Sequence, residues 1–126
     1  MLDVFFGRKR DPADDIDAVF TRGEGRAVSC FLRSNVAPLP DKFRYGVLRI
    51  DTQKVVWSSG VKGNGDALGL QTPLDVGRVR KPGGPGEAQI KGDLFSIIEA
   101  ASSAGVIELA VPNDSVQLVS RRLQAT

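Results

Sequence analysis

Apolar and polar residues alternate along several short stretches between residues 26 and 111. A period of two residues is typical of strands that bury one face, and glycine, proline and asparagine between such stretches predict turns. Asp51-Thr52-Gln53 predicts a tight hairpin turn between two of these strands. The predicted strands are residues 26–33, 43–50, 54–59, 67–71, 75–81, 94–101 and 106–111, with a further candidate short strand at residues 87–91.

The pattern changes from strand to helix at Pro112, which disfavours helical backbone in the residue before it. Good N-cap residues follow it, and an apolar stripe then recurs at helical spacing, so a helix is predicted from about Asn113 to Gln124. A helix of about ten residues is marginal alone in water and must pack on the sheet. We expect it to cover the open corner of a small, strongly bent sheet or barrel. The N-cap candidates are Asn113, Asp114 and Ser115, and the stripe is Val116, Val119 and Leu123.

Seven strands followed by one C-terminal helix is the plan of pleckstrin-homology-like (PH-like) barrels. The chain resembles a small actinobacterial family of membrane-tethered proteins with a PH-like domain, through GRAVSCFLRS, FRYGVLRIDTQKVVWSS and VIELAVPNDSVQLVSRRL. The resemblance implies a mostly β fold, a seven-stranded antiparallel bent sheet or barrel capped by one C-terminal α-helix. It divides the chain into an N-terminal arm, residues 1–20, and a single domain, residues 21–126. It supplies no catalytic residues.

The N-terminal segment departs from that family pattern. Family members usually begin with a transmembrane helix followed by basic residues, whereas here only Val4, Phe5 and Phe6 directly precede Gly7 and the basic triplet. No run of about eighteen apolar residues occurs in the sequence. Two alternatives stay open. Either the protein is a soluble relative that lacks the anchor by nature, or the chain is a piece of a longer protein from which the anchor has been left out.

The composition argues against an enzyme. The chain has no histidine, which removes the commonest general base and the commonest metal ligand. Its one cysteine, Cys30, lies in the apolar stretch AVSCFL and is predicted to be a buried free thiol. The aspartates of DPADDID, residues 11–17, lack the spacing of a calcium loop. We therefore expect no catalytic residues, no metal and no cofactor.

Charge suggests a binding surface. The net charge of the chain is only +2, but residues 21–60 contain seven basic and three acidic residues. By resemblance, PH-like barrels use the basic loop between the first two strands for lipid headgroups. The first hypothesis is therefore a non-catalytic interaction module that docks at an anionic membrane surface or a membrane-associated partner, in the cytoplasm at the inner face of the membrane. The candidate binding residues are Arg8, Lys9, Arg10, Arg33, Lys42 and Arg44.

Two other functions compete with membrane docking. The alternative is a soluble adaptor that binds a peptide or protein, because PH-like barrels often add a peptide strand between the fifth strand and the final helix. Less favoured is a nucleic-acid-binding small barrel, in which Phe43, Tyr45 and Trp57 would share one face. Only eight aromatic residues are available, and core packing is the more common use for them. No small-molecule substrate is evident.

Overall fold

The structure, a computed structural model, describes residues 25–125. Its seven strands form one bent antiparallel sheet in the order β4-β3-β2-β1-β7-β6-β5, and a single α-helix follows the last strand. The predicted fold class is therefore confirmed. The elements are β1 (Arg26–Ser34), β2 (Arg44–Ile50), β3 (Val55–Ser59), β4 (Ala67–Leu70), β5 (Asp75–Arg80), β6 (Phe95–Ser102), β7 (Gly105–Pro112), a 3-10 helix (Asn113–Ser115) and α1 (Val116–Gln124).

The predicted strands agree with the observed ones to within one residue at either end, apart from the candidate at residues 87–91, which is wrong. That segment consists of turns. The side chain of Glu87 accepts the backbone N–H groups of Gly83 and Gly84, at 3.0 and 2.9 Å, and the backbone of Ile90 donates to the carbonyl oxygen of Glu87 at 3.0 Å. These local bonds hold the segment in turns and leave its backbone unavailable for a strand ladder.

The main core lies on the face of the sheet that α1 covers, called here the inner face. Trp57, Leu48 and Leu109 are fully or almost fully buried there. The indole N–H of Trp57 donates to the carbonyl oxygen of Cys30 at 2.9 Å, which satisfies the one polar group of this large side chain. Cys30 is a buried free thiol, as predicted, and burial raises its pKa far above the ordinary value.

The helix α1 is joined to the sheet through both side chains and backbone. Val119 and Leu123 are fully buried, and Leu118 and Arg122 join them. The backbone N–H of Leu74 donates to the carbonyl oxygen of Leu123 at 2.6 Å, and Arg122 Nε donates to the carbonyl oxygen of Asp51 at 2.5 Å. The helix therefore fastens the start of β5 and the β2–β3 turn together.

The predicted N-cap is confirmed in position, since Ser115, one of the three candidates, is the N-cap residue of α1. Neither the 3-10 helix nor α1 has a side-chain cap hydrogen bond. The strand runs on through Pro112, and Asn113 Oδ1 accepts instead from the hydroxyl of Ser96, at 2.6 Å, and from Lys81 Nζ, at 3.2 Å. Because a 3-10 turn precedes α1, Asn113 and Asp114 lie before the cap position, and Ser115 occupies it without a side-chain cap bond.

A second, smaller apolar cluster lies on the opposite face, called here the outer face. It is built from Phe43, Ile90, Ile97 and Ala110, with Phe31 and Phe95 against it. Tyr45 packs edge-on against Phe31, with ring centroids 5.0 Å apart, so it shares the outer face. Trp57 lies in the inner core, so the three aromatic residues considered for nucleic acid do not share one face.

Candidate functional site

Of the six predicted site residues, the structure describes three, Arg33, Lys42 and Arg44. Arg8, Lys9 and Arg10 lie outside the described residues. Arg33 projects from the outer face of β1 into a cluster of carboxylates. Lys42 and Arg44 are exposed and line a depression at the end of the sheet where β2 begins. Lys42 and Arg44 therefore line the same depression. Arg33 is instead bound to carboxylates on the outer face.

Arg33 belongs to a set of six charged residues on the outer face, called here the Arg–Glu network. Its Nε donates to Glu108 Oε1 at 2.8 Å and one Nη donates to Glu87 Oε2 at 2.9 Å. Arg80 reaches the same two glutamates, at 3.0 Å and 2.7 Å. The members of the network are Arg33, Arg78, Arg80, Glu87, Glu99 and Glu108.

Sheet register explains the positions of two of the three arginines. Glu99 and Glu108 lie directly opposite each other on β6 and β7, a pairing of like charges that is destabilising alone. Arg78 pairs with Glu99 across β5 and β6, and Arg33 pairs with Glu108 across β1 and β7. The four residues therefore form a row across four strands in which an arginine flanks each glutamate.

Glu87 is the most enclosed member of this network, with 1% of its side chain exposed. Hydrogen bonds from Arg80, and then from the backbone N–H groups of Gly83 and Gly84, hold the pKa of its carboxyl far below the usual range. The pKa of Glu99 is lowered chiefly by Arg78, and the pKa of the Arg33 guanidinium is raised chiefly by its bond to Glu108. All three groups stay charged at neutral pH, so the network is a set of satisfied ion pairs.

The Arg33 guanidinium also lies over the Phe43 ring, 4.3 Å from its centroid. Carboxylates and an aromatic ring thus surround this cation, and its side chain is 22% exposed. An anionic headgroup would have to compete with two glutamates that are already bound. The arrangement makes Arg33 a structural residue.

Sequence reasoning identified Arg33 but missed Glu87, Glu108 and Arg80, which decide its role. Glu108 lies 75 residues further along the chain, and only the strand order brings it opposite Arg33. Glu87 follows the break PGGPG, where a lone acid in a loop carries no recognisable signal.

Lys42 and Arg44 line a depression of about 490 Å³ at the open end of the sheet. Neither makes an ion pair within residues 25–125. Asp41 and Asp66 line the same depression, so its two cations face two carboxylates. Its lining also includes Leu68 of β4, which is half-buried. The site is balanced in charge and partly apolar.

A second depression, of about 290 Å³, continues past Pro38, which lines both. It is bordered by Gly69 and Leu70 of β4 on one side and by Leu39 of the β1–β2 loop on the other. Together the two depressions run along β4, and they are called here the β4 groove. β4 pairs with β3 and ends the sheet, so one edge of its backbone has no strand partner in the described part of the chain.

A third depression, of about 440 Å³, lies where β1 begins and β2 turns into β3. It is called here the basic depression, and its lining includes Arg26, Ala27, Arg49, Asp51, Lys54 and Val56. Because β2 runs the full height of the sheet with seven residues, this end lies roughly 20 Å from Lys42 and Arg44. Arg26, Arg49 and Lys54 are near the β1–β2 loop in the sequence, but the fold places them at the opposite end of the sheet from that loop.

Several kinds of site are absent from the part of the chain that the structure describes. Residues 25–125 contain no group of three or more Cys, Asp or Glu side chains placed to hold a metal ion. Within the same residues, no helix has the length and apolar character needed to cross a membrane.

Comparison of the chain with models of known protein families, with characterised proteins and with solved structures found no match. Any functional statement therefore depends on the geometry of the chain itself.

Proposed function

We propose that the chain is a non-catalytic interaction module whose β4 groove binds an extended peptide segment of a partner protein. The observation that carries the proposal is the unpaired edge of β4 between two depressions of about 490 and 290 Å³. A peptide that pairs with such an edge gains backbone hydrogen bonds, and alternate side chains enter the neighbouring pockets.

The alternation along β4 supports this mode. Leu68 and Leu70 point to the inner side of the sheet, where Leu68 borders the larger depression and Leu70 the smaller. An added strand would follow the same period of two, so peptide residues i and i+2 would reach the two depressions. The smaller depression favours an apolar side chain, because Leu39, Leu74 and Ile107 line it.

The two edges of the sheet differ in how well they are protected against pairing. β5, the other edge, has a register shift at Val76/Arg78, carries Arg78 and Arg80, and contacts α1. Bulges, charges and a covering helix are the usual means of blocking an edge strand. β4 has small exposed residues, Ala67 and Gly69, and no charged residue. We therefore favour β4 over the site beside β5 that the PH-like resemblance implies.

Selection from a random peptide library, followed by fluorescence anisotropy with an enriched peptide, tests the proposal. We expect enriched peptides to carry apolar residues two positions apart. Gly69→Lys should weaken binding at least about tenfold, since edge lysines oppose strand addition. The Cβ position of Gly69 is open, so the variant should fold. Val79→Lys on β5 is the matched control and should bind normally. Equal binding by wild type and Gly69→Lys would refute the proposal.

Docking at an anionic membrane surface is a second candidate. Lys42 and Arg44 favour it, because both are exposed and make no ion pair among the described residues. Asp41 and Asp66 beside them oppose it. Titration with phosphatidylserine and phosphatidylcholine vesicles at two salt concentrations separates the candidates, since headgroup attraction weakens with salt. Replacing Arg8, Lys9 and Arg10 by glutamate should abolish any vesicle binding that this candidate predicts.

A further inference from the structure

The cations of the basic depression have no carboxylate partners from neighbouring strands. Arg26 and Lys54 make no ion pair within residues 25–125. Arg49 donates to the backbone carbonyl oxygens of Gly63, at 2.9 Å, and Lys62, at 3.3 Å, which neutralise no charge. These two bonds use two of the five N–H donors of Arg49, so the others stay available.

Among the described residues that line the depression, the one carboxylate is that of Asp51, and it is already engaged. Its Oδ1 accepts the backbone N–H groups of Gln53 and Lys54, at 2.7 and 2.8 Å. These bonds lower the pKa of the Asp51 carboxyl and fix it in the β2–β3 turn. Three cations therefore face one carboxylate whose role is to hold the turn, and the depression keeps a positive charge.

We propose that the basic depression binds an acidic segment of a partner protein, one with an apolar side chain between its carboxylates. Charge complementarity carries the proposal: the planar forks of Arg26 and Arg49 match carboxylate geometry, and Lys54 adds a third cation at the rim. The apolar side chain would rest on Ala27 and Val56, which flank Arg49 on the outer face.

The loop between β3 and β4 adds an apolar contact beside this site. Val61 is 81% exposed, the largest exposed fraction among the large apolar side chains within residues 25–125. It precedes Lys62, whose carbonyl oxygen Arg49 holds, and bonds from Gly63 to Gly60 and from Gly65 to Ser59 fix the loop. A partner segment that leaves the depression over Arg49 would meet Val61.

The shape and lining of the site favour a peptide over other anions. The site is concave, so a flat lipid surface would reach its rim and leave the floor of Ala27 and Val56 uncovered. No aromatic side chain from residues 25–125 lines it, so nucleic-acid bases would find no ring there on which to stack. The proposal is independent of the β4 groove, because the floor of the basic depression, Ala27 and Val56, is on the outer face, whereas Leu68 and Leu70 of the groove point to the inner side of the sheet.

The test uses a fluorescein-labelled peptide with a central leucine and two glutamates on each side, titrated against the full chain by fluorescence anisotropy. The comparison peptide has glutamines in place of the glutamates. We expect the glutamate peptide to bind, the glutamine peptide not to bind, and binding to weaken as salt is raised. The double variant Arg26→Glu/Lys54→Glu should weaken binding at least about tenfold.

The matched control is Lys42→Glu/Lys91→Glu, which changes the net charge equally at two exposed lysines away from the site. It should bind the glutamate peptide like wild type, and because Lys42 lines the β4 groove, this result also separates the basic depression from the groove. The neutral variant Arg26→Gln/Lys54→Gln is titrated as well, in case the charge-reversed variant misfolds. Its melting curve shows whether a loss of binding occurs in a folded protein. Three results would overturn the proposal. They are equal losses of binding in Arg26→Glu/Lys54→Glu and Lys42→Glu/Lys91→Glu, unchanged binding in Arg26→Glu/Lys54→Glu, and stronger binding of the wild type to phosphatidylserine vesicles or single-stranded DNA than to the glutamate peptide.

Discussion

The Arg–Glu network and the basic depression are built from the same kind of residue on the same face of one sheet, yet only one of them is neutral. Arg33 of β1 lies directly opposite Glu108 of β7. Arg49 of β2 lies opposite Ala27 on one side and Val56 on the other. The cross-strand neighbour therefore decides whether a strand arginine is a structural cation or an available one.

The loop between β5 and β6 deepens this difference. It delivers Glu87 between Arg33 and Arg80 and places Ile90 on the outer apolar cluster. The loop between β3 and β4 delivers only backbone carbonyl oxygens to Arg49. A carbonyl oxygen orients a guanidinium without cancelling its charge, so the first loop completes a structure and the second leaves a binding surface.

Removing the central carboxylate of the network should have the largest effect on stability. Glu87→Ala leaves Arg33 and Arg80 without their shared, enclosed partner, and breaking a buried ion pair from one side typically costs about 3 kcal/mol or more. Urea unfolding measures the loss in the free energy of unfolding. The control Asp66→Ala removes an exposed carboxylate that makes no ion pair within residues 25–125, and it should unfold close to wild type. Equal unfolding midpoints for the two variants would contradict a structural role for the network.

The same network should make the protein sensitive to acid. The pKa values of Glu87 and Glu99 are lowered in the folded state, so the unfolded chain binds more protons once the pH falls below about 4.3, the ordinary glutamate value. Their contribution to stability is present above that pH and is lost as the pH falls towards the folded pKa values.

Urea unfolding at a series of pH values checks this expectation. Wild type should lose stability steadily below about pH 4.3, and Glu87→Ala should lose less over the same range, because the carboxyl with the most strongly lowered pKa is gone. Leu123→Ala is the control, since a lost apolar contact should lower stability equally at every pH. Parallel curves for wild type and Glu87→Ala would show that Glu87 does not carry the acid sensitivity.

The sheet could be predicted from the sequence because strand signals are local. Alternation within 106–111 and the turn at Asp51 are each visible in fewer than ten residues, and the structure confirms both. The start of α1 was predicted too early, because propensity does not reveal that Ser96 and Lys81 bind Asn113. That competition depends on the packing of β6 against β7.

The candidate site could be predicted only in part, for a related reason. Basic residues were visible in the sequence, but alternation shows only which side of a strand a residue occupies. Whether Arg33 or Arg49 is neutralised depends on the order of strands and on residues as distant as Glu108. Membrane docking and the binding of an acidic segment both need cations that are free, so the sequence alone could not choose among these residues.

A carboxylate placed opposite Arg49 would give the basic depression a cross-strand ion pair like those of the Arg–Glu network. This change should have the smallest effect on stability of the changes considered and should abolish binding of the glutamate peptide. Ala27 is exposed and directly opposite Arg49, the relation that Glu108 has to Arg33. Ala27→Glu should add a cross-strand ion pair and raise the free energy of unfolding by about 0.2–1 kcal/mol. The new carboxylate would occupy Arg49 and repel an acidic segment, so binding of the glutamate peptide should be lost. Ala27→Gln has the same size without charge and should keep most of the binding. If both variants bind the peptide equally, charge at this position does not control the depression, and the contrast between the two regions has no functional meaning.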